Sequence, residues 1–136
     1  VVNLGTNDAS AFEQPPFTIP ETGEVCKQRK NPDGTYNRED LLKFEQAVID
    51  FLKMLRKHNE SSHIVWAYGM LGYDLTLAIT EAMNTYRNET GDSNVAFLQL
   101  PDSTPDNLGA HAHPGPASHE RAAAILIEYF KKKWEV

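Results

Sequence analysis

The sequence has almost no cysteine. Cys26 is the single one among 136 residues, so an internal disulfide and a Cys-rich metal site are both excluded. Its context, Gly23-Glu24-Val25-Cys26-Lys27, offers no neighbouring base, and it reads as a loop thiol rather than a nucleophile. No window holds 18 consecutive apolar residues, which excludes a transmembrane helix. Positive charge is scarce. Thirteen Lys and Arg stand against 19 Asp and Glu, for a net charge of −6. The expected chain is soluble, with no nucleic-acid or membrane partner, and its substrate is expected to be neutral rather than polyanionic. An initiating Met and a basic leader are also missing. The chain opens instead on Val1-Val2-Asn3-Leu4-Gly5, a strand-like run that reads as the middle of a domain.

What is present is an ordinary globular balance, 40% apolar and 24% charged, in a length suited to one domain at most. Two glycosylation triplets, Asn59-Glu60-Ser61 and Asn88-Glu89-Thr90, permit a secreted location. After the opening strand, Pro15-Pro16-Phe17-Thr18-Ile19-Pro20 and Asn31-Pro32-Asp33-Gly34 argue against regular structure over residues 6–37. Phe12, Phe17 and Tyr36 in that segment are candidates to line a pocket or to pack the loop down.

Regular periodicity follows. Asn37 is placed to cap a helix over residues 38–58, where Leu41, Phe44, Val48, Phe51, Leu52 and Leu55 make one apolar stripe. Glu39 and Asp40 suit its N-terminus. Ile64-Val65-Trp66-Ala67-Tyr68 reads as a buried strand ending at Gly69. Asp74 is expected to cap a second helix, carrying Leu75, Ile79, Ala82, Met83 and Tyr86 inward. Residues 94–100 read as a third strand, 101–116 as a loop, and residues 117–134 as a last helix. Apolar strands alternating with amphipathic helices indicate a parallel α/β sheet, whose ligands bind beyond the carboxyl ends of the strands.

Two loops fall at that edge. Gly5-Thr6-Asn7-Asp8 follows the first strand, where Gly permits positive φ and an Asn amide can point an N–H at developing negative charge. His113-Pro114-Gly115-Pro116-Ala117-Ser118-His119 precedes the last helix, and a histidine fixed before proline suits a general base. A zinc site is the other reading of this loop, from His111, His113 and either His119 or Asp106.

Together the loops resemble those of the SGNH (GDSL-type) hydrolase superfamily, and in detail its carbohydrate esterase family 2. The matching stretches are Val2-Asn3-Leu4-Gly5-Thr6-Asn7-Asp8, Ile64 to Met70, and Gly109-Ala110-His111-Ala112-His113-Pro114 with Ser118-His119 and Ala122-Ala123. The resemblance implies an α/β fold, a three-layer α/β/α sandwich on a parallel sheet, with this chain covering about three strands and three helices. It implies that residues 1–136 are the C-terminal part of one SGNH-type domain. The implied activity is deacetylation of carbohydrate by serine acyl transfer, with no cofactor and no metal.

In that scheme His113 is the catalytic base and Asn7 the oxyanion donor, while Gly5, Thr6 and His111 touch substrate. The implied partners are an acetylated carbohydrate and the segment completing the domain, and the implied location is secreted or extracellular. Family members often carry an Asp two or three residues before the histidine. Those positions here are His111 and Ala110, so Asp106 or a backbone carbonyl is left to orient the imidazole. The position before the histidine, often aromatic in the family, is Ala112. The family's nucleophile comes from a Gly-Asp-Ser block after the first strand. Gly91-Asp92-Ser93 spells that block but precedes a strand, which sets Ser93 at the opposite edge from Asn7 and His113. The chain alone is therefore expected to be inactive. The alternative is a non-catalytic SGNH-like module that binds glycan or supports a neighbouring domain.

Overall fold

A computed structural model describes residues 1–135. Its elements in order are α1 (Thr6–Ala11), β1 (Phe17–Thr18), β2 (Val25–Cys26), α2 (Arg38–His58), β3 (Ile64–Tyr68), α3 (Thr76–Thr90), β4 (Val95–Gln99) and α4 (Pro116–Trp134). Two short 3-10 turns, Pro105–Asn107 and Ala110–Ala112, lie between β4 and α4.

The central sheet pairs β3 with β4 in parallel, Ile64 opposite Val95 through Tyr68 opposite Gln99. The opening segment adds a third line, but only as a single parallel bridge between Val2 and Trp66. The Val2 N–H donates to the Val65 carbonyl, and the Val2 carbonyl accepts from the Ala67 N–H, each at 2.7 Å. The expected first strand is therefore shortened to one bridge. Val1 and Leu4 are exposed, and no strand among the described residues pairs with the segment's outer side.

All five residues of β3 are buried, because both faces of the strand are covered. Ile64, Trp66 and Tyr68 face α2 and α3, packing with Val48, Leu52, Ile79, Met83 and Tyr86. Ala67 faces the other way, with Met70, Leu100 and Ala122 of α4. Helices thus lie on both faces of a parallel sheet, which is the expected three-layer α/β arrangement.

Local chemistry explains the boundaries. The Asn37 side chain accepts the Glu39 N–H and starts α2 as expected. Asp40 does more than favour the dipole: its carboxylate takes the Arg29 backbone N–H at 2.8 Å and the guanidinium at 2.9 Å, tying the preceding loop to the helix. Asp74 is not the cap of α3. Leu75 holds that position without a side-chain bond, while the Tyr73 carbonyl takes the Thr76 N–H and the Tyr68 hydroxyl lies 3.5 Å from the Leu75 nitrogen. The Pro-rich segment is largely irregular but holds the short α1 and the two-residue pair β1–β2. Phe12 is buried and stacks on Tyr36 at 4.0 Å between centroids, so both pack the loop down, whereas Phe17 is exposed.

Candidate active site

Three segments meet where β3 ends, and each needs unusual backbone to get there. Gly5 has φ 125°, and a Cβ on it would stand 2.9 Å from the Tyr68 ring. Only glycine lets the chain turn this closely over Tyr68 and enter α1. Gly69 follows β3 with φ 139° and would meet the Leu100 carbonyl at 2.4 Å if it carried a Cβ. The loop after β4 makes its sharpest turn at His111 and Ala112, two consecutive non-glycine residues with φ 54° and 58°. Left-handed backbone of this kind costs on the order of 1 kcal/mol per residue.

The three segments wall a cleft of about 480 Å³. Gly5, Thr6, Asn7 and Asp8 of the first segment, Gly69, Met70 and Leu71 of the second, and His113, Pro114 and His119 of the third all line it. The sequence-predicted residues Gly5, Thr6, Asn7 and His113 are therefore brought together at the carboxyl edge of the sheet. Asn7 lies in the first turn of α1, and its backbone carbonyl accepts the Ser10 hydroxyl at 2.9 Å. Its side-chain amide has no partner among the described residues.

His113 is oriented by main chain. Its Nδ1 lies 3.3 Å from the Ala110 carbonyl oxygen. A carbonyl accepts only, so the contact selects the tautomer with the proton on Nδ1 and leaves a lone pair on Nε2. The Gly109 N–H donates to the His113 carbonyl at 2.7 Å, and the His113 N–H donates to Ala110 at 3.1 Å. These bonds hold the ring-bearing residue on both sides.

Two expectations change here. Asp106 does not orient His113. Its carboxylate accepts the Thr104 hydroxyl at 2.5 Å, which holds the carboxyl below its ordinary pKa range. The reason is local: Thr104 and Asp106 flank the first residue of a 3-10 turn, and their side chains close on each other. His111 has left-handed backbone and does not line the cleft. The histidine trio does not converge. No group of three His, Cys, Asp or Glu among the described residues is arranged to share an ion. His119, read from sequence only as a helix residue or a zinc ligand, lines the cleft instead. Its place in the first turn of α4, just past Pro116, was the available signal.

Gly91-Asp92-Ser93 lies at the other edge. Gly91 ends α3 in left-handed backbone, and Asp92 is bound by Arg56 at 2.8 Å and by the Tyr86 hydroxyl at 2.7 Å. Burial pushes the Asp92 carboxyl up, but the Tyr86 and Arg56 donors outweigh it and hold it below its ordinary range. Asp92 is thus a structural anchor, and exposed Ser93 sits before β4, remote from His113.

The fold is similar to that of two solved structures. Over 97% of its length the chain superposes on an acetyl xylan esterase from the rumen bacterium Butyrivibrio proteoclasticus, with a TM-score of 0.95 and 55% identity. The chain resembles part of a family two carbohydrate esterase. A second such structure, the family two carbohydrate esterase from Clostridium thermocellum in complex with cellohexaose, matches over 68% of this chain at a TM-score of 0.61 and 28% identity. The esterase-like chain spans 36% of the first protein and 30% of the second. No family model and no curated protein matches it.

Proposed function

We propose that this chain supplies the base and the oxyanion donor of an SGNH-type serine esterase that removes acetyl groups from carbohydrate. The observation that carries the reading is that Asn7, whose amide is free among the described residues, and the carbonyl-oriented His113 line one cleft. Residues 1–136 then form the C-terminal part of one hydrolase domain.

The chemistry follows from the tautomer. With Nδ1–H held by Ala110, Nε2 is free to take the proton of a serine hydroxyl as its oxygen attacks the acetyl carbonyl. The carbonyl oxygen becomes an oxyanion, and the Asn7 amide N–H donates to it. One such donor contributes roughly 10²–10³ in kcat. The imidazolium then returns its proton to the departing sugar oxygen. Water repeats the sequence on the acyl-enzyme and releases acetate, the proton passing again through Nε2. Gly5 and Thr6 contact the acyl group or the sugar, and His119 lines the same cleft.

The nucleophile comes from outside this set of residues. No Ser or Cys side chain lines the cleft, and its single hydroxyl belongs to Thr6. We therefore expect the 136-residue chain alone to hydrolyse neither an activated acetate ester nor acetylated xylan. A longer chain carrying the rest of the domain is expected to turn both over, with His113→Ala abolishing activity. Turnover by the 136 residues alone, lost in His113→Ala, would show that the nucleophile has been misplaced. Sugar binding without turnover by the longer chain would favour a glycan-binding module. The protein's proposed place is extracellular, where acetylated polysaccharide is met.

A further inference from the structure

The loop bearing His113 is strained, and something must hold it. His111 and Ala112 are both left-handed, so the segment relaxes unless its ends are clamped. One clamp is main chain: the Gly115 N–H donates to the Asn107 carbonyl at 2.8 Å, so close that a Cβ on Gly115 would stand 2.7 Å from that oxygen. The other is Ser118, in the first turn of α4 and only 2% exposed. Its hydroxyl donates to the same Asn107 carbonyl at 3.1 Å.

A hydroxyl has one proton to give. Ser118 spends it on Asn107, so the 2.8 Å contact with Ser103 runs the other way: the Ser103 hydroxyl donates and Ser118 accepts. Ser103 in turn gives its backbone N–H to the Met70 carbonyl at 3.0 Å. Its neighbour Asp102 takes the Gly72 N–H at 3.0 Å. A chain of hydrogen bonds thus runs from the loop after β3, through the loop after β4, to Asn107 ahead of the turn that carries His113, with Ser103 donating in both directions. Met70 at one end and His113 at the other both line the cleft.

We propose that Ser118 is a positioning residue: through Asn107 it locks the turn that presents the Ala110 carbonyl to His113, and so fixes which ring nitrogen is the base. The inference rests on His113 being the catalytic base, but its test does not use activity.

The measurement is the imidazole tautomer, read from ring 15N shifts in histidine-labelled protein, with His113 assigned by its loss in His113→Gln. The wild type is expected to carry the Nδ1–H form at His113. Ser118→Ala is expected to take the majority away from that form, and Ser118→Thr, which keeps the hydroxyl, to restore it. His63 is the control. It bonds Asn94 and Tyr129 at the far edge of the sheet, at 2.8 and 2.7 Å, and its signals report an intact fold.

If Ser118→Ala unfolds the protein and His63 shifts too, Ser118→Cys decides. It nearly keeps the side-chain volume but exchanges the hydroxyl donor to Asn107 for a weak thiol donor, and it is expected to move the His113 tautomer balance the same way. A wild-type tautomer at His113 in whichever variant stays folded overturns the proposal. Should His113→Ala leave hydrolysis intact, the reading of His113 as base fails while the tautomer result stands by itself.

Discussion

Arg56 reaches across from the end of α2 and holds Asp92 through its Nε at 2.8 Å. The same guanidinium donates to the carbonyls of Asn59, Glu60, Ser62 and Asn94. One side chain thereby joins the end of α2, the entry to β3 and the entry to β4. All of this lies at the edge of the sheet opposite the cleft.

Removing that guanidinium leaves Asp92 charged in a mostly buried place and several carbonyls unmet. Arg56→Ala is expected to destabilise the fold by about 2 kcal/mol. A lower urea midpoint with an unchanged slope checks this. Ser93→Ala beside it is expected to leave both stability and esterase turnover as they are, since Ser93 is exposed and far from His113.

The Asp40–Arg29 pair gives stability a sign with pH. Bonding by the Arg29 guanidinium holds the Asp40 carboxyl down at about 2. A carboxyl lowered on folding stabilises the native state above its unfolded pKa and loses that contribution as pH falls through the folded value. The contribution is therefore full above about pH 5 and fades between about pH 4 and 2. Urea titrations of wild type and Asp40→Asn at a series of pH values should differ at pH 6 and converge near pH 2. A gap that persists at pH 2 would assign the effect to packing.

Asp106 is engaged by Thr104 and plays no part in orienting the imidazole. Asp106→Ala in the active protein is expected to change kcat by less than about two-fold, whereas loss of a triad acid costs about 10⁴. A large kcat loss without unfolding would reinstate the carboxylate.

Gly5→Ala forces a Cβ into the Tyr68 ring at a φ that L-residues avoid. The expected cost is about 1–3 kcal/mol, with kcat reduced as Asn7 is displaced. Circular dichroism melting paired with a kcat measurement reads both.

The long elements were legible because one pattern repeats many times along them. In α2, six apolar side chains at three- and four-residue spacing and an Asn at the cap all pointed to residues 38–58, and the helix occupies those positions. β3 was legible as an apolar run because it is buried on both faces. Short features were not. α1 has six residues and no repeat to betray it. Asp74 carried a good cap letter, yet the α3 N-terminus was served by Tyr73 and Tyr68 from nearby in the fold. At the site, motif and edge placement pointed to Asn7 and His113, and both line one cleft. The burial of Ser118 and the left-handed backbone at His111 are not announced by any residue type there.

The segment bearing Asn7 reaches β3 by few bonds: two at Val2, the Asn3 side chain on the Ala67 carbonyl, and the Leu4 carbonyl on the Trp66 indole. Asn7 therefore depends on two anchors, these bonds on one side and the buried Ala9 and Phe12 of α1 on the other. A strand laid against the outer side of Val1–Leu4 adds main-chain bonds to the first anchor, so pairing along that edge and the placing of Asn7 are energetically linked.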